Sequence, residues 1–493
     1  MIAFLLLIPT AAGLAAFVLR SHAAQRTLLV ATALAHAGLT LTAWFDPPGP
    51  MLDGWLALDS TGLVFLSITS VLFLAAAVYA VGYLRRERVR RREESAAEGL
   101  FAPYEPEAVF VGCLLLFLAA MTLVTVSQQF GLLWVAVEAT TLASAPMIYF
   151  HKHHRSLEAT WKYLLICSVG IALALLGTFL LAAAAAEPGR HGIPLIVGEL
   201  VQHGKRLHVP TLKAAFLFFL VGYGTKMGLA PLHTWLPDAH SESPSLVSAL
   251  LSGALLNCAF LAILRVFVVC VAAGQAAFAQ ELLVGFGLLS MGVAAVFIIG
   301  QADFKRMLAY SSVEHMGILA LGVGLGGAGF FGSMLHAVNH SLTKAALFLV
   351  AGNILAVYQT KETGKVTGLR RLLPVSGALW LAGFFAITGS PPFGPFLSEF
   401  TILRAALVQG RGLVAVGYLA MLALIFIGMA TIVLRMYQGA PNLPGTTPTA
   451  AEPLWSIAPS AILCGLVLLL GVWVPYGLRS VLEDAARTLG GHG

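Results

Sequence analysis

Runs of about twenty apolar residues recur along this chain from one end to the other, and two of them are broken by proline beside a charge. Each run can cross roughly 30 Å of hydrocarbon as a helix. Hydrocarbon offers a backbone no hydrogen bonds, so a chain of this pattern folds as an all-α polytopic membrane protein. Composition agrees: 58% of residues are hydrophobic and 11% charged, with mean hydropathy +0.87, far from a soluble globular average.

The pattern gives about fourteen transmembrane spans, near 2–19, 27–44, 60–84, 107–126, 129–149, 162–186, 212–236, 244–270, 280–300, 306–325, 329–357, 375–408, 413–436 and 456–477. The N-terminus lacks the basic start of a signal peptide and reads as the first span. Loop charge alternates. One set holds Arg20/Arg26, the cluster Arg85, Arg86, Arg88, Arg90, Arg91 and Arg92, then Lys152/Arg155, Lys305/Arg306 and Lys361/Lys365/Arg370/Arg371. The other set has Arg190, Lys205, Arg206 and Arg411 as its basic residues. The positive-inside rule puts the first set in the cytoplasm of a bacterial or archaeal cell, with both termini outside the cytoplasmic membrane.

Spans four to eight and nine to thirteen form two blocks of five, so the second runs inverted relative to the first. The divisions are 1–106 (scaffold helices one to three), 107–270 (first repeat), 279–437 (second, inverted repeat) and 456–493 (helix fourteen and a short tail). In each block the fourth span is broken. Pro231 and Pro237 follow Lys226 in the seventh, and Pro391, Pro392 and Pro395 precede Glu399 in the twelfth. Matched broken helices in two halves point to an ion path near the bilayer midplane.

The net charge of +6 does not indicate nucleic acid, because no basic face interleaved with aromatics accompanies it. Cys113, Cys167, Cys258, Cys270 and Cys464 stand singly in apolar runs, without the spacing of iron–sulfur, zinc or disulfide frameworks. No Gly-rich phosphate loop is present. The chain is expected to carry no cofactor and no chemistry beyond proton transfer.

Ionisable residues inside spans each cost about 2.5–3.5 kcal/mol. Glu138, Lys226 and Lys344 together would cost roughly 8–10 kcal/mol uncompensated, so they pair, face water, or both. Glu138 and Lys226 are opposite in sign within one block, and such a pair can be toggled by a proton; the alternative is a static ion pair joining two helices. His336, His340 and Lys344 follow i, i+4, i+8 spacing on one helix face and suit a proton relay, the alternative being packing histidines. His-Ala-Val-Asn-His lacks the acid of a metalloprotease helix, so no metal is expected. His315 extends the relay. Lys305 and Arg306 read as side chains snorkelling to the cytoplasmic interface. Asp238, His240 and Glu242 form a possible intake gate, or else cap a loop.

Four stretches, "TKMGLAPLHTWLPDAHSESPSLVSALLSG", "QADFKRMLAYSSVEHMG", "HAVNHSLTKAALFLVAGN" and "SPPFGPFLSEF", closely resemble the antiporter-like membrane subunits of the complex I superfamily. Its members occur in respiratory complex I, nickel–iron membrane hydrogenases, formate hydrogenlyases and multisubunit cation/proton antiporters. The resemblance implies a fourteen-helix proton-translocating subunit with Glu138 and Lys226 as input pair, Lys344 as central relay and Glu399 as terminal acid. "LLSGALLNCAFLAILR" places Asn257 where many complex I members carry lysine, and looks like the hydrogenase-4 component F branch. The implied partners are other membrane subunits, peripheral redox subunits of hydrogenase or quinone-oxidoreductase type, lipid, and protons or Na⁺. The alternative function is a subunit of a non-redox cation/proton antiporter or ion-coupled uptake complex.

Overall fold

The structure, a computed structural model, describes residues 1–98, 106–186, 192–441 and 452–490, the side chains of 90–98 and 106 excepted. Among these residues the secondary structure is helical, and β-type pairing is confined to isolated bridges such as Gln129–Ile196. An N-terminal group comprises α1 (Ile2–Val18), α2 (His22–Phe45) and α3 (Ser60–Glu98). Next come α4 (Pro106–Val126), α5 (Phe130–Ile148), α6 (His154–Ala185), the short α7 (Val197–Gln202), α8 (Val209–Met227), α9 (Trp235–Glu242), α10 (Ser245–Leu250) and α11 (Leu256–Ala272). The remainder is α12 (Ala276–Ile298), α13 (Phe304–Leu325), α14 (Ala328–Tyr358), α15 (Leu369–Leu372), α16 (Pro374–Ile387), α17 (Gly394–Val408), α18 (Gly412–Tyr437), α19 (Leu454–Val472) and α20 (Tyr476–Thr488).

Among the described residues, eleven helices are long and apolar enough to cross a membrane, and α1 and α16 are shorter apolar helices. The chain is a multi-pass, all-helical membrane protein. The eleven fall short of the fourteen spans read from sequence because α1 is brief and the seventh and twelfth spans are each split. The seventh, expected over 212–236, stops at Met227 and resumes as α9. Asp238, His240 and Glu242 therefore lie on a helix, not in a loop. The twelfth, expected over 375–408, breaks between Ile387 and Gly394. The eighth is continuous but contains a π-helical turn, Leu251–Leu255, between α10 and α11.

A second correction concerns the arginine cluster. Helix α3 runs without interruption for 39 residues, about 58 Å at 1.5 Å per residue, and Arg85–Arg92 ride on its end instead of forming a loop. No glycine or proline falls between Tyr83 and Glu98, and Arg and Glu are good helix formers. The Arg86 guanidinium sits 4.6 Å over the Trp455 ring. The side chains of Arg90, Arg91 and Arg92, and all of Arg190, lie outside the described residues.

Burial locates the centre of the bundle. The most apolar window of α13 is 100% buried, whereas that of α18 is 28%. Helices α13 and α14 are thus the axis, α13 packing against α12 and α9 and α14 against α10, α16, α17 and α19. Small residues allow the close approach: a Cβ on Gly317 of α13 would stand 2.7 Å from the Gly287 carbonyl of α12, as expected where packing, not a hydrophobic drive, holds membrane helices together.

Candidate functional site

The first break supplies the first polar cluster. Helix α8 ends in Gly228 at φ +85°, and Lys226 lies in its last turn, fully buried. The Thr225 carbonyl, which accepts from Gly228 N at 3.2 Å, also accepts a hydrogen bond from Trp235 Nε1 at 2.8 Å, so the α9 side of the break adds to the satisfaction of the helix end. Lys226 Nζ donates to Thr141 Oγ1 and to the Tyr163 hydroxyl at 3.2 Å. Thr141 in turn donates to Glu138 Oε2 at 3.1 Å. The expected Glu138–Lys226 ion pair is therefore bridged by Thr141, one helical turn beyond Glu138 on α5. Glu138 itself is half-buried, with Ser168 Oγ 3.5 Å away, so it stands at the flank of the chain.

Across α11 the polar side chains resume. Asn257 Nδ2 donates to Ser341 Oγ of α14 at 2.7 Å and to the Gly253 carbonyl at 2.8 Å. The π turn presents Ser252 to Ser312 of α13 at 2.8 Å; π turns inside α-helices recur at functional sites. Ser312 Oγ donates to the Leu308 carbonyl at 3.1 Å, which also accepts from Lys344 Nζ at 2.7 Å. Lys344 is fully buried. Among the described residues no direct hydrogen bond joins Lys226 to this second group, although α8 packs against α11.

The three histidines expected to form a relay come together. His315 Nδ1 and His336 Nε2 are 2.9 Å apart, and the His340 ring centroid lies 4.9 Å from that of His315. His336 Nδ1 meets Ser398 Oγ at 2.9 Å, on α17 beside Glu399. Asn257 Oδ1, both nitrogens of His340, His315 Nε2, Glu314 Oε2 and Glu399 Oε1 are buried without a protein partner. Buried polar atoms of this kind are normally satisfied by water, and their concentration along one axis marks a hydratable track. Glu399 lines a cavity of about 310 Å³ with Gly389, Thr388 and Tyr418. Gly389, at φ +63°, has the Glu399 carboxylate where a side chain would stand.

The expected intake gate divides. Asp238 pairs with Lys162 at 3.0 Å and Arg306 at 3.3 Å; Glu242 pairs with Lys361 at 2.9 Å and His153 at 3.6 Å. These groups line a polar cavity of about 760 Å³. Burial pushes the Glu242 carboxyl up, but the Lys361 ammonium outweighs it, and the carboxyl rests below its ordinary range. His240 points the other way, fully buried and stacked on Phe348 of α14 at 5.0 Å. Lys305, expected to snorkel, is 1% exposed and donates to the Ser243 and Ser241 carbonyls at 2.5 and 3.3 Å. Its partners are carbonyls at the C-terminal end of α9, which attract a cation more than the membrane interface does. Arg306 does remain partly exposed, with 41% of its side chain accessible.

Sequence reasoning passed over Glu314, Thr141 and Tyr163. Glu314 is 1% exposed, and an acid inside the tenth span was the same signal that marked Glu138. Thr141 and Tyr163 carry no charge in an apolar run, so only their placement beside Lys226 reveals them.

This fold and this buried polar axis define a class, membrane subunits built to pass charge through a helix bundle. Residues 127–433 match the transmembrane family of NADH:quinone oxidoreductase and Mrp antiporter subunits, and the chain belongs to that family. A hydrogenase-4 component F homolog of Methylacidiphilum infernorum is 35% identical over 432 residues, 87% of each chain. A chain of respiratory complex I from Thermus thermophilus superimposes with TM-score 0.80 at 26% identity, covering 100% of both chains. A chain of an archaeal membrane-bound sulfane sulfur reductase gives TM-score 0.84 at 19% identity, over 99% of this chain and 98% of that one, a likeness of fold. The protein is an antiporter-like membrane subunit.

Proposed function

We propose that this chain translocates protons as the non-redox membrane subunit of a hydrogenase-like or complex I-like redox-driven pump. The observation that carries the reading is the pair of fully buried lysines, Lys226 and Lys344, strung on one polar axis between two flanking acids. Bare charges at such depth cost about 2.5–3.5 kcal/mol each on insertion scales, a cost with a use only if the charge moves. In this reading a proton reaching Glu138 loosens the Thr141-bridged hold on Lys226. Lys226 then passes its proton by way of Asn257, Ser341 and water to Lys344, and the histidines deliver it to Glu399. Asp238 and Glu242 guard cytoplasmic intake, while His240 serves the interior. Fourteen spans in two inverted five-helix repeats (107–270 and 279–437), with both termini on the outer side of the cytoplasmic membrane, complete the arrangement. Neighbouring membrane subunits would meet the flanks at Glu138 and Glu399, and peripheral redox subunits would supply the energy.

A second reading, a non-redox cation/proton antiporter subunit, is favoured by one observation: the family that matches residues 127–433 takes in Mrp antiporter subunits as well. Purifying the native complex and identifying its subunits separates the two. Nickel–iron and ferredoxin-like partners with electron-driven acidification of inverted vesicles sustain the first; small membrane proteins alone, with cation-driven proton flux, replace it with the second.

A further inference from the structure

The proton reading uses His315, His336 and Glu399 as consecutive stations, yet their placement also satisfies a different chemistry. Each can offer one ligand atom, and these atoms lie within 4.8 Å of one another in full burial. They come from three helices, α13, α14 and α17, so they converge by tertiary packing and not by local spacing. The His336–His340 pair on α14, which sequence suggests first, has its rings 6.4 Å apart and is the poorer chelate.

The orientation of the rings is the second observation. His315 Nδ1 and His336 Nε2 face each other at 2.9 Å. Ser398 Oγ lies 2.9 Å from the opposite nitrogen of His336, Nδ1, whereas His315 Nε2 has no hydrogen-bond partner, Glu314 Oε2 standing 3.9 Å away. His336 is thus held as metal-binding histidines are, by an outer acceptor on its second ring nitrogen that fixes the tautomer and raises ligand basicity. Glu399 Oε1 has no partner, and its carboxylate borders the 310 Å³ cavity, which neither histidine lines, so the cavity gives the acid side chain room to turn toward the rings.

We propose that His315, His336 and Glu399 form a three-ligand site for a borderline divalent transition metal ion of the Zn²⁺ type, and that its occupation plugs the path between α14 and α17. Two imidazoles with a carboxylate suit zinc and its neighbours in the series and not the hard cations Na⁺, Mg²⁺ or Ca²⁺. Ligand atoms on tetrahedral zinc stand roughly 3.3 Å apart, from bonds of about 2.0–2.1 Å. The two nitrogens are already near that separation, and only the Glu399 carboxylate has to close in. Glu399 and Glu314 together would balance the ionic charge. The bound ion would take the place of the proton shared between the two rings and tie up the Glu399 oxygen, so proton transfer through this point would stop.

The plugging half of the proposal rests on the proton reading; the binding half does not. The test uses the purified complex and inverted membrane vesicles, with Zn²⁺ as the probe. Zinc affinity is read by competition with a chromophoric chelator. Wild type should bind one equivalent more than Glu399→Gln or His315→Gln, or bind it at least tenfold more tightly, while His340→Gln matches wild type. His315→Cys should retain the ion, because a thiolate replaces the imidazole as ligand, an outcome that a folding defect cannot imitate. Zinc binding equal in wild type, Glu399→Gln and His315→Gln overturns the site, as does an equal loss in His340→Gln. In wild-type vesicles the midpoint for inhibition of proton uptake should match the binding midpoint. Zinc bound at the triad with uptake unchanged overturns the plug and removes this triad from the proton path, while the binding site stands.

Discussion

At the first break the charge lies on the half-helix that ends there; at the second it lies on the half-helix that begins. Lys226 sits in the last turn of α8 before Gly228, and Glu399 sits six residues into α17, whose first residue is Gly394. A cation is favoured at a helix C-terminus by about 0.3–1 kcal/mol, an effect confined to the terminal turn. Lys226 has that help, and Thr141 and Tyr163 accept from it. Glu399 lies beyond the first turn, its Oε1 has no partner, and a cavity opens beside it. The first break holds its charge in a fixed cradle; the second leaves its charge loosely held, as befits a group that receives a proton and releases it. The two broken helices thus share the break and differ in what the break does.

The largest effect is expected at the fixed cradle. Lys226→Ala should lower redox-driven proton uptake by about 100-fold or more, within the range that one positioned acid–base group supplies, with the complex still assembled. Lys226→Arg should fail nearly as badly, because guanidinium keeps its proton. Uptake by inverted vesicles with a pH-sensitive dye measures both. Wild-type rates in Lys226→Arg would reduce Lys226 to an electrostatic anchor and erase the contrast between the breaks.

Glu399→Gln should come next, with uptake reduced about tenfold or more and subunit content unchanged on native gels. The amide keeps the shape beside Gly389 but cannot take up and release a proton. Full activity would mean that protons leave elsewhere, and that the loosely held acid is only a packing feature.

Thr141→Val tests the bridge. Removing the hydroxyl deletes two hydrogen bonds, one from Lys226 and one to Glu138, each of net worth about 0.5–1.5 kcal/mol, and should slow uptake by at least about fivefold, with Thr141→Ser near wild type. Equal rates in Thr141→Val would mean that Glu138 and Lys226 meet directly or through water, and that the cradle is not built on the hydroxyl.

The membrane class, the two breaks and the buried charges were legible in the sequence because hydrocarbon makes each visible: apolar runs, prolines within them, and ions that cannot be there idly. Glu138, Lys226, Lys344 and Glu399 stood out for that reason. The Thr141 bridge and the tyrosine beside it were not legible, since neutral hydroxyls are common in such helices and only packing of α5, α6 and α8 assigns them a partner. Arg85–Arg92 misled in the opposite direction. Charge ended the apolar run, but helix propensity did not end with it, so α3 continues where a loop was expected. Lys305 misled because its apolar stem fits an interface equally well, and only the fold brings the α9 carbonyls within reach. Asp238 and Glu242 were read as a pair of gate residues with His240, yet a helix turns His240 inward while its neighbours face the polar cavity.

The smallest effect belongs to that cavity. Glu242, outside the apolar spans, is held by Lys361 at 2.9 Å, and its carboxyl lies below the ordinary range. A depressed folded value means that the pair contributes stability above the unfolded carboxylate pKa and loses it as pH falls through the folded one. At neutral pH the latch is therefore fully formed, and a partly exposed pair of this kind is worth about 0.2–1 kcal/mol. Glu242→Gln should shift neutral-pH uptake by about fivefold at most, the span that 1 kcal/mol allows, and should lower thermal stability slightly at pH 7. The stability difference between variant and wild type should shrink as the pH is taken down through the folded carboxyl's range, because the wild-type acid is then itself neutral. A difference that holds constant from neutral to acid pH would show that Glu242 acts through its shape in α9 and not through its charge, and the cavity would then lose its role as a gate distinct from both breaks.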